Sequence, residues 1–201
     1  MLDPLPPVSE WLREWSTPLA EYLSLPSLPY HSHEVILAFA FYQFIQSVVS
    51  PKLSARLFPK FYPNFNKRTK LNWDIHVVSL VQSTLICIVA LWVMYADEER
   101  KSMTAGERVY GYSGGCALIQ AMAVGYFIWD LIISTRYINI FGIGLWFHAV
   151  SALWVFSLGF VSQPSPLRLF FLKTNFIKSH WKTSWACMCS SKTHCWSTHL
   201  F

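Results

Sequence analysis

Two neighbouring stretches decide the fold of this chain: GYFIWDLIIS at residues 125–134 and GLWFHAVSALWVFSLGF at residues 144–160. Each belongs to a longer apolar run, at about 115–134 and about 140–161. Runs of about 20 apolar residues match the hydrocarbon thickness of a bilayer. Only the short segment TRYIN separates the two runs. The sequence therefore predicts two membrane-spanning helices joined by a turn that is too short to hold a domain.

Two more apolar runs precede this pair, at about 34–50 and about 75–96. The composition agrees with a membrane protein, because 53% of the 201 residues are hydrophobic and only 13% are charged, whereas a soluble domain carries about 25% charged residues. The predicted fold class is all-α: a multi-pass transmembrane helical bundle with four spans and an incomplete C-terminal part. The transmembrane domain is placed at residues 34–181.

The segments outside that domain are an N-terminal arm, residues 1–33, and a tail, residues 182–201. The arm is rich in proline and lacks the features of a signal peptide. Its segment SEWLREW offers Ser9 as an N-cap and predicts either a short interfacial helix or a loosely ordered arm. Three prolines are expected to interrupt anything longer: Pro18, Pro26 and Pro29. The tail is predicted to be poorly ordered and without function.

The charges predict an orientation in the membrane. The loop 51–74 contains six basic residues and one acid, whereas the arm before Glu34 has four acids and one base, and the loop 97–114 has four acids and three bases. Cytoplasmic loops carry an excess of Lys and Arg. The six-base loop is therefore expected in the cytoplasm, and the other two segments on the opposite side. Because the bases lie between membrane spans, no nucleic-acid partner is expected.

Polar residues at helical spacing predict which faces point into the bundle. In the first span this face is expected to hold Gln43, Gln46, Ser47 and Ser50. In the second span a stripe of small and polar residues is expected to permit close helix contact: His76, Ser79, Ser83, Cys87, Ala90 and Met94.

Asp130 in the third span and His148 in the fourth are the candidate catalytic residues, since intramembrane ionisable groups are costly and often functional. The candidate lipid-binding residues are Asp130 and His148 together with His76, Tyr126 and Ser151. Asp130 is expected to face the bundle interior and to pair with a histidine or a hydroxyl group. The polar residues predict either a cavity that holds a lipid head group or transfers a proton, or an internal hydrogen-bond network. No metal or cofactor is expected, because the Cys and His spacing of the tail matches no standard zinc site.

Three stretches, LNWDIHVVSLVQSTL at residues 71–85, GYFIWDLIIS at 125–134 and FHAVSALWVFSLGF at 147–160, resemble the TLC-domain family, which includes ceramide synthases and translocation-associated membrane proteins. The resemblance covers about residues 70–181. The family's characteristic Asp and His positions match Asp130 and His148. The resemblance implies an integral protein of the endoplasmic reticulum or Golgi membrane, with membrane lipids as partners.

Two departures from the family pattern bear on function. Ceramide synthases carry a paired His-His, but this chain has Phe147 before His148, so a second imidazole is missing. The segment LKTNFIKSHW at 172–181 is similar to the end of a family motif, yet the final span that follows in the family is not evident, and the chain looks shortened.

The favoured function is therefore a non-catalytic role in lipid homeostasis, through lipid sensing, binding or trafficking. The alternatives are an N-acyltransferase of the ceramide synthase type, and a structural partner in a membrane complex. Assembly into a homo- or hetero-oligomer is left open.

Overall fold

The computed structural model describes residues 5–104 and 113–160. Those two ranges contain helices and connecting turns, and no strand. The α-helices are α1 (Glu10–Tyr22), α2 (Leu28–Phe44), α3 (Ser50–Leu57), α4 (Lys67–Ala96), α5 (Glu98–Ser102), α6 (Gly114–Arg136), α7 (Ile138–Phe141) and α8 (Ile143–Ser157). A π-helical turn, Ile45–Val49, joins α2 to α3, and 3₁₀ turns cover Tyr62–Asn64 and Leu158–Phe160.

All four predicted spans are confirmed as helices long and apolar enough to cross a membrane: Leu28–Leu57, Lys67–Ala96, Gly114–Arg136 and Ile143–Phe160. The first two are longer than predicted, with 30 residues each. At 1.5 Å per residue such a helix is about 45 Å long, which exceeds the hydrocarbon core by about 15 Å. Helices of this length cross a bilayer with a tilt or with one end in the head-group layer.

Consecutive spans run in opposite directions. At one end of the bundle the amide of Ser27 donates to the carbonyl of Phe160 at 3.3 Å, and the hydroxyl of Ser113 donates to the carboxylate of Asp97 at 2.8 Å. At the other end Nη2 of Arg68 donates to the carbonyl of Ile140 at 3.1 Å. These contacts close the two ends of an up-down-up-down arrangement.

Helix α6 is the centre of the bundle and packs against α2, α4 and α8. Two glycines permit its close approach to its neighbours. A Cβ at Gly125 would meet Cβ of Ala38 at 2.7 Å, and a Cβ at Gly115 would meet the side chain of Val93 at 2.9 Å. The resulting core includes Tyr42, Val78, Trp129 and Ala121, each almost fully buried.

The predicted inward face of the first span is wrong except at its last position. Gln43 and Ser47 are exposed, Gln46 is half-buried, and Ser50 is fully buried. The hydroxyl of Ser47 donates to the carbonyl of Gln43 at 2.8 Å, so this serine needs no partner on another helix.

The physical reason for this error is the π-helical turn Ile45–Val49. A π turn holds one extra residue, which rotates everything that follows it by about 100° relative to a regular α-helix. Tyr42 is buried before the turn, Ile45 is buried as its first residue, and Ser50 and Ser54 are buried after it. Pro51 lies two residues after the turn and cannot donate an amide hydrogen bond to Ser47, so the ladder is interrupted there in any case.

The predicted contact stripe of the second span is also wrong at most positions. His76, Ser83, Cys87 and Met94 are exposed on α4, and Ser79 is half-buried. The buried face holds Asp74, Ile75, Val78, Gln82 and Val93 instead. The hydroxyls of Ser79 and Ser83 donate to carbonyls one turn earlier, at 3.0 and 2.8 Å. Because these hydroxyls are satisfied within α4, their spacing does not reveal the packing face.

The arm contains an ordered helix, α1, rather than a loose segment. Ser16 and Ala20 are its buried residues, and α1 packs against α2. The expected interruption at Pro18 is wrong, because this proline lies inside α1. Pro29 lies in the first turn of α2, where its missing amide costs no hydrogen bond. The predictions for the tail 182–201 lie outside the described residues.

Candidate functional site

Polar contacts join the three helices α2, α4 and α6 inside the bundle. The hydroxyl of Tyr42 donates to Oε1 of Gln82, and the hydroxyls of Tyr126 and Ser79 lie 3.0 Å apart. The rings of Tyr42 and Tyr126 meet edge to face with centroids 5.4 Å apart. Tyr126, a predicted site residue, is therefore part of an internal network that fixes α6 against its neighbours.

Asp130 lies one helical turn beyond Tyr126 and is buried, with 9% of its surface exposed. This confirms that it faces the interior. Burial is the one effect that acts on its carboxylate, which makes no hydrogen bond or ion pair within the described ranges. Nε1 of the fully buried Trp129 has no hydrogen-bond partner there. A buried carboxyl group without compensation costs several kcal/mol.

The position of Asp130 on α6 follows from the contacts of its neighbours. Tyr126 faces α4 through Ser79, and the ring of Phe127 packs on Phe156 of α8 with centroids 4.6 Å apart. At about 100° per residue, Asp130 lies between these two faces, in line with Ala123 and Ser134. All three residues on this line are buried.

His76 is not a partner of Asp130. Its side chain is exposed, and Nδ1 donates to the carbonyl of Asn72, one turn earlier in α4, at 2.7 Å. His76 is exposed because it lies on the outer face of α4, whereas Val78 and Gln82 lie on the face that packs into the bundle.

His148 and Ser151 are exposed on α8. The hydroxyl of Ser151 donates to the carbonyl of Phe147 at 2.7 Å. Helix α8 turns Ala149 to the interior instead, as its one buried residue within Ile143–Ser157. One turn before His148, a Cβ added at Gly144 would meet no described atom within 4 Å, so no described helix approaches α8 closely on this side. The expected pairing of Asp130 with His76 or His148 is thus absent from the ranges 5–104 and 113–160.

A second polar cluster, which the sequence interpretation missed, surrounds Asp74. Its carboxylate accepts a hydrogen bond from the hydroxyl of Ser50 at 2.6 Å and from that of Tyr62 at 3.1 Å. Burial and the neighbouring carboxylate raise the pKa of the Tyr62 phenol to about 12. The available signal was Asp74 itself, the single acid in a loop with six bases.

A third cluster lies at the start of α2 and was likewise missed, because Glu34 was interpreted as the first residue of the span. Nδ1 of His31 lies 3.1 Å from Oε1 of Glu34, and Nε2 of His33 lies 3.9 Å from the same oxygen. His31 also stacks on the ring of Phe160 at 6.4 Å. No three His, Cys, Asp or Glu side chains are grouped as metal ligands in the part of the chain that the structure describes.

Comparison with known families gives a match to the TLC domain over residues 72–198. The chain belongs to the TLC-domain family. Its match continues past Trp181, where the sequence resemblance was expected to end. Together with the four membrane helices, this makes it an integral membrane protein of that family.

Three relatives are similar to parts of the chain. An uncharacterized TLC domain-containing protein of Schizosaccharomyces pombe is 37% identical over 74% of the chain and 49% of its own length. Topoisomerase I damage affected protein 4 of Saccharomyces cerevisiae is 31% identical over 64% of the chain and 44% of its own length. TLC domain-containing protein 4 C of Dictyostelium discoideum is 27% identical over 53% of the chain and 38% of its own length. The chain spans less than half the length of each, and no solved structure matches it.

Proposed function

We propose that this TLC-domain protein binds a membrane lipid next to Asp130 and acts in lipid homeostasis, by sensing or moving that lipid. The observation that carries the proposal is that Asp130 is a buried residue whose carboxyl group makes no hydrogen bond within the described ranges. Intramembrane carboxyl groups are expensive and are a default indication of a functional site.

The polar groups around Asp130 favour a bound ligand over a purely structural role. The network of Tyr42, Gln82, Tyr126 and Ser79 pairs its own members and leaves Asp130 out. A structural carboxyl group would be expected to look like Asp97, whose carboxylate accepts a hydrogen bond from Ser113 at 2.8 Å. A lipid head group with a hydroxyl or amine would donate a hydrogen bond to Asp130, as the hydroxyl of Ser113 does to Asp97.

The proposed role is non-catalytic. General acid–base chemistry requires groups within hydrogen-bond reach of one another and of the substrate. Asp130 makes no bond to His148 in the described part, and the residue before His148 is Phe147, whose side chain is 57% exposed. An N-acyltransferase would need Asp130 and His148 to face one cavity, so acyl transfer is not the function proposed.

The site of action proposed here is the endoplasmic reticulum or Golgi membrane, because lipids are made and sorted there. The experiment is lipid profiling of cells that lack the protein, rescued with the wild type, Asp130→Asn or His148→Ala. We expect the wild type and His148→Ala to restore the lipid profile and Asp130→Asn to fail. Restoration by Asp130→Asn at normal protein levels would contradict the proposal, and failure of His148→Ala would favour the enzyme instead.

A further inference from the structure

We propose that residues 50–74 form a binding surface for anionic phospholipid head groups. This segment, named the basic platform, consists of α3, the 3₁₀ turn Tyr62–Asn64 and the first two turns of α4. The proposal is independent of Asp130, which lies on α6.

The basic platform is a built structure, since side chains hold it against the start of α4. Asp74 accepts from Ser50 and Tyr62, at 2.6 and 3.1 Å. Beside it, Nε1 of Trp73 donates to the hydroxyl of Ser54 at 2.9 Å. These bonds connect residues that are 24, 12 and 19 positions apart in the chain, and so they fix α3 and the turn relative to α4.

Ring contacts add to this fixation. Trp73 packs edge to face on Phe58 with centroids 5.6 Å apart, and it also contacts Phe65 at 5.9 Å. Nζ of Lys70 donates to the carbonyl of Pro63 at 3.0 Å and lies 5.6 Å from the centre of the Tyr62 ring. Lys70 is therefore used to hold the loop, and Arg68 is partly engaged through its bond to the carbonyl of Ile140.

The five basic residues other than Lys70 are all exposed: Lys52, Arg56, Lys60, Lys67 and Arg68. The single acidic residue of the segment, Asp74, is buried. None of the five forms an ion pair with an acid in the described ranges. The platform thus presents positive charge alone, on a fixed backbone, and complements an anionic surface.

The lengths of two helices and the exposed apolar side chains beside the bases favour a lipid as the source of the anion. The helices Leu28–Leu57 and Lys67–Ala96 exceed the hydrocarbon core by about 15 Å each, and the platform contains the polar ends of both. Apolar side chains are exposed next to its bases: Leu53, Leu57, Phe58 and Phe61. Phe44, before the π turn of the same span, is exposed as well. Bases that flank such a surface lie at the level of lipid phosphates.

The test compares two double variants that each remove two positive charges. Lys52→Gln with Arg56→Gln neutralises neighbours one turn apart on the exposed face of α3. Arg13→Gln with Lys101→Gln neutralises two bases outside the platform. Each protein is reconstituted in nanodiscs of phosphatidylcholine with phosphatidylserine, and the retained lipids are counted by native mass spectrometry.

We expect wild-type protein to retain phosphatidylserine in preference to phosphatidylcholine, more weakly as salt rises. In the Lys52/Arg56 variant, the ratio of retained phosphatidylserine to phosphatidylcholine should fall about 10- to 30-fold. This follows from about 1 kcal/mol of attraction per basic residue at the membrane surface. The Arg13/Lys101 variant should keep this preference, and so should Lys52→Arg with Arg56→Lys.

Equal retention by the Lys52/Arg56 variant, or an equal loss in the Arg13/Lys101 variant, would overturn the proposal. So would an absence of lipid preference in the wild type. Charge-dependent binding of an acidic peptide in that case would assign the platform to a protein partner instead. If the first variant does not fold, Lys60→Gln with Lys67→Gln provides the same test, because both side chains are exposed.

Discussion

Gly125 of α6 lies directly against Ala38 of α2, so closely that a Cβ at position 125 would be 2.7 Å from Cβ of Ala38 and 2.7 Å from the carbonyl oxygen of Val35. In a membrane the hydrophobic effect does not drive helices together, and close packing of small residues takes its place. This contact therefore determines how the central helix α6 is held, and with it the position of Asp130 further along the same helix.

The first prediction concerns this contact. Gly125→Ala should lower the free energy of unfolding by about 1–3 kcal/mol, because the added methyl group must displace the backbone of α2. Gly144→Ala, on the exposed side of α8, is the matched control and should be neutral or slightly stabilising. Thermal unfolding in detergent measures both. Equal stability of the two variants would show that the close approach of α2 and α6 is not required.

The second prediction concerns the cluster around Asp74. Ser50→Ala and Tyr62→Phe each remove a donor from a buried carboxylate and should cost about 1–3 kcal/mol. Ser47→Ala, at an exposed serine bonded to its own helix, should change stability very little. The same unfolding assay applies, and protease cleavage in residues 57–66 should increase in the first two variants. Unchanged cleavage would show that these bonds do not fix the loop.

The third prediction is a pH dependence. The pKa of Tyr62 is raised to about 12 in the folded protein, above its value of about 10 in an unfolded chain. The unfolded state loses this proton first, so the stabilisation is complete below pH 10 and is lost as the pH rises toward 12. Between pH 10 and pH 12, the free energy of unfolding should fall more steeply with pH for the wild type than for Tyr62→Phe. Identical curves would contradict the burial of this phenol beside Asp74.

The fourth prediction is the orientation in the membrane, which follows from the charge of the loops. In a variant without native cysteines, Lys60→Cys should react with an impermeant thiol reagent from the cytoplasmic side, and Glu98→Cys from the opposite side. Both positions are exposed, so access is limited only by the membrane. Labelling of Lys60→Cys from the lumenal side would reverse the whole arrangement.

The number and order of the spans could be predicted from sequence, because length and apolar composition are sufficient for that. The packing faces could not. Helix α4 is apolar almost all round, so its periodicity does not distinguish Val78 from His76, and its serine hydroxyls bond within the helix. In the first span, the π turn before Pro51 changes the register in a way that the spacing of Gln43 and Ser47 does not reveal.

For the candidate site, the sequence predicted that Asp130 is buried, because a carboxyl group in an apolar run has few alternatives. It did not predict that Asp130 lacks a histidine partner in the described part. The rotation of α8 about its axis decides whether His148 faces Asp130, and that rotation depends on which residue packs inward, here Ala149. The Asp74 cluster was missed because its members, Ser50, Tyr62 and Asp74, are brought together by a loop and not by a periodic pattern.

The central claim, that Asp130 binds a lipid, can be tested on the protein itself. Wild type, Asp130→Asn and Asp97→Asn are purified from the same membranes, and the lipids that accompany each are quantified by mass spectrometry. Asp97 is the control because its buried carboxylate already has Ser113 as a partner, so its loss should reduce stability without changing the bound lipid. We expect one lipid class to be enriched with the wild type and to fall about 10- to 100-fold with Asp130→Asn, as the loss of a hydrogen bond to a charged group implies, while stability stays the same or rises. The same lipid in the same amount with Asp130→Asn would contradict the account.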